Sequence, residues 1–226
     1  MLLMSAVSLL FALLMAMWFT AAPNNANAPY APSISSSKQA EKTDPFQSHK
    51  PLVGIVSGHA GFDPGAVCAD GLTEAEVNRQ VADEVVRLLN SRGVRTDLLA
   101  EFDPALNGYK ANALVSIHAD SCEVSGMSGF KVARVTLSAI PEAEDKLVAC
   151  LINEYSKITG LKEHSATITD GMTNYHAFRE IASYTPGAII ETGFLLEDRA
   201  LLERNPELVA RGVASGILCF LKSDDE

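Results

Sequence analysis

The feature that most constrains the fold of this chain is an alternation of short apolar runs with amphipathic helical segments after residue 51. Apolar runs typical of buried strands occur at residues 52–56, 94–99, 113–117, 129–135 and 188–190. Helical patterns occupy residues 73–91, 141–159 and 205–221. Strands that alternate with helices predict an α/β fold, a mainly parallel sheet with helices on both faces.

Two different segments precede this alternation. Residues 1–22 are apolar apart from three hydroxyl residues, and about 20 such residues can cross a bilayer as a helix. A cleaved signal peptide and a membrane anchor both fit, because the small residues Ala26 and Ala28 suggest a cleavage site while no basic residue precedes the apolar run. Residues 23–50 are rich in Pro, Asn, Ser and Ala, which is typical of a flexible linker. We therefore expect a signal peptide or anchor, a linker, and a single folded domain over residues 51–226.

The charge of the chain excludes one class of partner. Lysine and arginine number 18 and aspartate and glutamate 28, which gives a net charge of −10. A nucleic acid would be repelled by such a surface, so we expect no nucleic-acid partner. We expect a monomer that contacts a membrane only through residues 1–22.

Four side chains suited to metal or acid–base chemistry are predicted to meet at one edge of the sheet. His59 follows the first predicted strand, His118 follows the third, and Glu191 follows the strand at residues 188–190. Glu74 lies in the first turn of the helix after the first loop. The carboxyl ends of parallel strands share one edge, where ligands bind. Two imidazoles and a carboxylate are the ligands of a catalytic zinc site, and a second carboxylate can move protons.

Each of these residues also has an ordinary structural explanation. A histidine at a strand end often only forms hydrogen bonds, and an acidic residue in a first helical turn is stabilised by the helix dipole. Glu76 can complete a capping box with Thr73, so Glu74 is the better candidate for a ligand. Glu191 could be a solvated loop residue. All the ordinary explanations would have to hold together, so we favour a common site.

Four ordered motifs contain these residues. They are residues 53–66 with His59, residues 71–78 with Glu74, residues 116–120 with His118, and residues 189–195 with Glu191. In sequence and order they resemble the motifs of the zinc-dependent N-acetylmuramoyl-L-alanine amidases of the amidase 3 type, which cleave bacterial cell walls. The resemblance covers residues 51–221 and implies that His59, Glu74 and His118 bind Zn²⁺ while Glu191 is the catalytic carboxylate.

The resemblance also implies a substrate and a location. The expected reaction is hydrolysis, by a zinc-activated water, of the amide between N-acetylmuramic acid and L-alanine in peptidoglycan. That polymer lies outside the cytoplasmic membrane, so an extracytoplasmic protein, secreted or tethered, is expected. The alternatives are a zinc peptidase that acts on stem or cross-link peptides, and a catalytically inactive wall-binding module. Residues 100–112 lack the arginine usual in the family, so we expect a simple loop there.

The cysteines and one further histidine complete the predictions. Cys68 and Cys122 lie in loops beside the same predicted metal, and we expect a disulfide between them in an oxidising compartment. The alternative, that one of them is a fourth zinc ligand, would close the position that catalysis needs. A second bridge between Cys150 and Cys219 has less support. His176 is expected to be a packed or surface residue, with a place in a substrate groove as the alternative.

Overall fold

A computed structural model describes residues 50–223 of the chain. The predicted signal peptide or anchor at residues 1–22 lies outside the described residues, as does the predicted linker except for Lys50. Within residues 50–223, every helix is too short or too polar to span a bilayer.

Five strands form one sheet. They are β1 Leu52–Ser57, β2 Arg95–Leu99, β3 Ala113–Asp120, β4 Lys131–Ala133 and β5 Gly187–Phe194. Their order across the sheet is β2-β1-β3-β5-β4, and every neighbouring pair is parallel except β4 with β5. The predicted mainly parallel sheet is confirmed, with one short antiparallel strand at an edge.

Helices cover both faces of the sheet, as predicted, but the two layers are unequal. The helices are α1 Glu74–Ser91, α2 Pro141–Thr159, α3 Asp170–Thr173, α4 Ala177–Glu180, α5 Arg199–Leu202 and α6 Pro206–Ser223. The long helices α1, α2 and α6 share one apolar core with side chains such as Ile55, Val115 and Ile190 of the central strands. The other face packs against short elements, including α3, α4 and the 3-10 turn Pro104–Leu106.

The two long helices α2 and α6 approach each other closely. A Cβ added at Gly216 would lie 2.7 Å from the Cα of Leu151, so a larger residue there would push against the backbone of α2. A disulfide between Cys150 and Cys219 joins the same two helices. The second bridge, for which the sequence offered less support, therefore lies within this layer.

Two strands are longer than the sequence pattern predicts, and this corrects the placement of two candidate residues. His118 lies inside β3 and Glu191 inside β5, not after the strands, and the two are direct partners in the parallel register. Backbone pairing does not depend on side-chain polarity, so the strands continue through these polar residues. The hydroxyl of Thr192 reinforces the pair by donating to the carbonyl oxygen of His118 at 2.8 Å. By contrast, β4 is shorter than the predicted run at residues 129–135, and at the start of that run Gly129 has a φ of +119°, outside the strand region.

Candidate metal centre

The start of α1 determines where Glu74 points. Thr73 precedes the helix, its hydroxyl accepts a hydrogen bond from the Glu76 N–H at 3.2 Å, and the Glu76 carboxylate accepts from the Thr73 N–H at 3.1 Å. This is the predicted capping box, and it occupies Glu76. Glu74 is free of the cap and is buried against the sheet.

Glu74 meets both candidate histidines. Its Oε1 lies 3.1 Å from Nε2 of His59 and 3.1 Å from Nδ1 of His118. One potential ligand atom from each of the three residues lies within 4.8 Å of the other two. The structure therefore brings together the three residues that the sequence analysis named as zinc ligands.

Hydrogen-bond donors from α1, β3 and the loop before α1 hold the Glu74 carboxylate in place. Oε1 accepts a hydrogen bond from the Ala119 N–H at 3.2 Å and another from Nδ2 of Asn78 at 3.2 Å, while Oε2 accepts from the Ala66 N–H at 3.1 Å. Asn78 also donates to the carbonyl oxygen of Gly58, which links α1 to the end of β1. These contacts fix the orientation of the carboxylate between the two rings.

His59 is held in an unusual backbone conformation. Its φ is +65°, and among the described residues it is the one non-glycine residue with a positive φ. Such strain collects at functional sites. Nδ1 of the ring pairs with Oδ1 of Asp63 at 2.5 Å, which leaves Nε2 directed at Glu74. A Cβ added at the neighbouring Gly58 would lie 2.5 Å from the ring of His118, so only glycine fits between the two histidines.

The charges at the centre reinforce one another. The hydrogen bond to Glu74 raises the pKa of His59 to about 9, with Asp63 adding to the effect against partial burial. Burial alone would lower the pKa of His118, but the hydrogen bond to Glu74 and the charge of Glu191 raise it. Burial would likewise raise the pKa of Glu74, but its hydrogen bonds to His118 and His59 hold it well below its usual range. Glu74 is therefore ionised at neutral pH.

Glu191 lies beside this cluster with a different character. It pairs in register with His118 on one side and with Lys131 on the other. Its Oε2 is buried and has no hydrogen-bond partner among the described residues. Burial raises the pKa of Glu191 to about 7, and the charges of Glu74 and Asp120 add to the effect. A carboxyl group with such a pKa can both accept and donate a proton near neutral pH.

The donor set fits a zinc ion. Two imidazole nitrogens and one carboxylate oxygen converge, which is a combination found at catalytic zinc sites with a position left for water or substrate. Glu191 is outside this set and remains available for proton transfer. The division of these residues between metal binding and acid–base chemistry stays a prediction.

The sequence analysis missed Glu101. This residue follows β2 in the segment that was expected to be a simple loop, and it is only 5% exposed. Its carboxylate contacts the backbone of His59, the hydroxyl of Tyr175 and the ring of His176. No local pattern signals this role, because the partners in the last two contacts lie more than 70 positions along the chain.

His176 belongs to the same neighbourhood. Its ring stacks on Phe102 with centroids 4.1 Å apart, and its Nδ1 pairs with Glu180 at 2.8 Å. Phe102 in turn meets Phe62 edge to face, and both phenylalanine rings are exposed. His176 is therefore a packed residue, the first of the two alternatives considered, and it packs at the border of the metal centre.

A disulfide joins Cys68 to Cys122 with the two Cα atoms 5.3 Å apart. Cys68 belongs to the loop between His59 and Glu74, and Cys122 follows the strand that carries His118. The bridge thus connects the chain segments that supply all three candidate ligands, and both cysteines are committed to it and not to the metal.

Comparison with known proteins gives a consistent result. A family model described as N-acetylmuramoyl-L-alanine amidase (Amidase_3) matches residues 53–219, which include all four candidate residues. A relative from Buchnera aphidicola subsp. Acyrthosiphon pisum (strain APS), provisionally named N-acetylmuramoyl-L-alanine amidase, is 32% identical over 95 residues. That match spans 38% of this chain and 40% of the relative's length.

Two solved structures share the fold over most of the chain. N-acetylmuramoyl-L-alanine amidase AmiC2 of Nostoc punctiforme has a TM-score of 0.59 at 25% identity and covers 76% of this chain and 97% of its own. The catalytic domain of CwlV, an N-acetylmuramoyl-L-alanine amidase from Bacillus (Paenibacillus) polymyxa var. colistinus, has a TM-score of 0.60 at 26% identity. It covers 76% of this chain and 98% of its own.

Proposed function

From the premise that this chain belongs to the N-acetylmuramoyl-L-alanine amidase family Amidase_3, we propose that it is a zinc-dependent hydrolase of peptidoglycan. The bond cleaved is the amide between N-acetylmuramic acid and L-alanine of the stem peptide. The observation that carries the proposal is the convergence of His59, Glu74 and His118 on one point, with Glu191 on the neighbouring strand. The catalytic domain is assigned to residues 51–226.

His59, Glu74 and His118 would hold the zinc ion. A zinc ion bound there would supply a water of lowered pKa and would polarise the scissile carbonyl. Glu191 then accepts the proton of the attacking water on its carboxylate and delivers it to the departing amine of L-alanine. Because Glu191 lies on the strand paired with that of His118, beside the three candidate ligands, one side chain can perform both transfers.

Two other functions remain as alternatives. A zinc peptidase acting on stem or cross-link peptides would use the same donor set and the same glutamate. A wall-binding module without activity would have no use for Glu191, whose buried carboxylate is costly to keep. The arrangement around Glu191 therefore favours an enzyme over a binding module, and the family favours the amidase over the peptidase.

The proposal is tested by digesting purified peptidoglycan with the zinc-loaded protein and identifying the products by mass spectrometry. The amidase releases intact stem peptides that begin with L-alanine and leaves glycan strands with free lactyl carboxylates. A peptidase instead releases shortened peptides or opened cross-links, and an inactive module releases nothing. Either of these last two results would overturn the proposed reaction.

Glu191→Gln tests the role of the carboxylate in the same assay. The amide cannot accept a proton, so we expect turnover to fall by about 10²- to 10⁴-fold while the protein keeps one zinc. Glu142→Gln, an exposed substitution on α2, is the matched control and should leave turnover unchanged. Wild-type turnover in Glu191→Gln would exclude the proposed proton transfer.

A further inference from the structure

Glu101 is a buried carboxylate that forms no ion pair with lysine or arginine among the described residues. Burying a carboxylate is costly unless hydrogen bonds compensate for lost water. Its Oε2 accepts from the backbone N–H of His59 at 2.7 Å, and its Oε1 accepts from the Tyr175 hydroxyl at 2.9 Å. Oε1 also lies 3.0 Å from Nε2 of His176. The carboxylate is thus fixed from three sides.

The remaining neighbour of Glu101 is the second histidine of the metal centre. Its Oε2 lies 3.5 Å from Nε2 of His118, on the side of that ring opposite Glu74. Nε2 of His118 is buried and has no hydrogen-bond partner among the described residues. Glu101 supplies the one carboxylate oxygen within 4.0 Å of this nitrogen in the same part of the chain.

The ligand geometry makes this contact significant. His118 presents Nδ1 to the cluster, so a metal ion would take the lone pair of Nδ1 and the ring proton would have to be on Nε2. A buried N–H group needs an acceptor, and metal-bound histidines commonly donate their other ring N–H to a carboxylate. His59 has a carboxylate in the equivalent place, because Asp63 contacts Nδ1, the ring nitrogen that does not face Glu74.

We propose that Glu101 is the positioning residue for His118: its carboxylate holds the ring in the Nε2–H tautomer, so that the Nδ1 lone pair is directed at the metal. Through the His59 N–H, the same carboxylate also fixes the backbone of the other imidazole ligand. This inference rests on the metal site of the proposed function but not on the identity of the substrate. It also gives a purpose to Tyr175 and His176, both of which contact the carboxylate of Glu101.

The first test measures zinc affinity by competition with a chromophoric chelator, without any substrate. Glu101→Gln keeps the size of the side chain but removes its charge, and we expect zinc to bind about 10- to 100-fold more weakly. Glu144→Gln is the matched control, because Glu144 is also a buried carboxylate but lies on α2 near the start of β5. An affinity of Glu101→Gln within twofold of wild type would overturn the inference.

A spectroscopic measurement separates positioning from a general structural role. In the cobalt-substituted protein, a change in the ligand field of the metal should alter the visible absorption bands of Glu101→Gln and leave those of Glu144→Gln as in wild type. Identical bands in all three proteins would count against a role at the metal.

A measurement on the wild-type protein does not depend on whether Glu101→Gln folds. With ¹⁵N-labelled histidine and bound zinc, long-range ¹H–¹⁵N spectra should show His118 protonated on Nε2 and bound to zinc through Nδ1. Coordination through Nε2 would overturn the inference. If the wild-type protein bound no zinc at all, the proposed function itself would fail, and that outcome is distinct from normal zinc binding that ignores Glu101.

Discussion

At the scale of single residues, the centre carries more negative charge than its histidines can balance. Glu74 contacts both rings, Asp63 contacts His59, and Glu101 approaches His118. The two imidazoles of the centre, even when protonated, do not neutralise these three carboxylates. A divalent cation among them would supply the missing positive charge, which is the electrostatic reason to expect a metal there.

The first prediction concerns the ligands. His118→Ala removes one of three donors, and we expect the purified protein to lose its equivalent of zinc, as measured by elemental analysis after dialysis. His164→Ala is the control, because His164 pairs with Thr167 and is not one of the converging donors. A full equivalent of zinc in His118→Ala would show that the metal ligands are misassigned.

The second prediction concerns the burial of Glu191. Its pKa is raised to about 7 in the folded protein from an ordinary value of 4.5, so the ionised form destabilises the fold. This destabilisation is absent below pH 4.5, grows as the pH rises, and is complete above pH 7. In metal-free protein we therefore expect Glu191→Gln to raise the melting temperature at pH 8 and to have little effect at pH 4.

The measurement for this second prediction is thermal unfolding in the presence of a chelator, with Glu142→Gln as the exposed control. An equal change in melting temperature for Glu191→Gln at both pH values would mean that the charge of Glu191 does not destabilise the folded protein.

The sequence alone predicted some residues of this centre and missed others. Glu74 could be preferred over Glu76 because the capping box gives Glu76 a local role, and local rules can be read from neighbouring residues. No pattern among the neighbouring residues in the sequence signals Glu101. Its importance arises from contacts with Tyr175 and His176, which only the folded chain brings near.

At the scale of elements, the fold class and the order of strands and helices could be predicted because apolar periodicity reflects burial directly. The ends of β3 and β5 could not, because His118 and Glu191 interrupt the apolar pattern where backbone pairing continues. The extension matters for the chemistry. It places the two side chains on paired strands, a more rigid support than two separate loops would provide.

The third prediction compares the two disulfides. Their sequence separations are 54 and 69 residues, so a chain-entropy model assigns each about 4 kcal/mol of stabilisation. Replacing both cysteines of either bridge by serine should therefore lower the free energy of unfolding by similar amounts in urea titrations. Zinc affinity should fall only when the bridge between Cys68 and Cys122 is removed, because that bridge connects the segments that carry the ligands.

The pair of variants serves as its own control. The bridge between Cys150 and Cys219 joins α2 to α6, on elements that supply no ligand. Equal losses of zinc affinity in both variants would mean that the first bridge has no specific role at the centre.

At the scale of the whole molecule, the features point to an oxidising compartment. Every cysteine of the described chain is in a disulfide, and such bonds persist in secreted and periplasmic proteins and are rare in the cytosol. The proposed substrate lies outside the cytoplasmic membrane, and the sequence of residues 1–22 is apolar, as expected for a signal peptide or anchor. We therefore predict an extracytoplasmic location for this chain.

The fourth prediction follows from that location. A C-terminally tagged full chain should be found outside the cytoplasm when cells are fractionated, and its cysteines should resist alkylation until a reductant is added. A chain from which residues 1–22 are deleted is the control and should remain in the cytoplasm with reactive thiols. Cytoplasmic recovery of the full chain with an intact N-terminus would contradict the assigned location.

The backbone of His59 has a consequence for anyone who selects variants of this protein. Its φ of +65° is a conformation that glycine and asparagine adopt more readily than histidine. A library randomised at position 59 and sorted for folded protein in zinc-free medium above pH 9, where His59 has lost the proton that stabilises its pairing with Glu74, should therefore enrich glycine or asparagine. The same library sorted for degradation of cell walls should return histidine, so a programme guided by stability alone would discard the proposed zinc ligand.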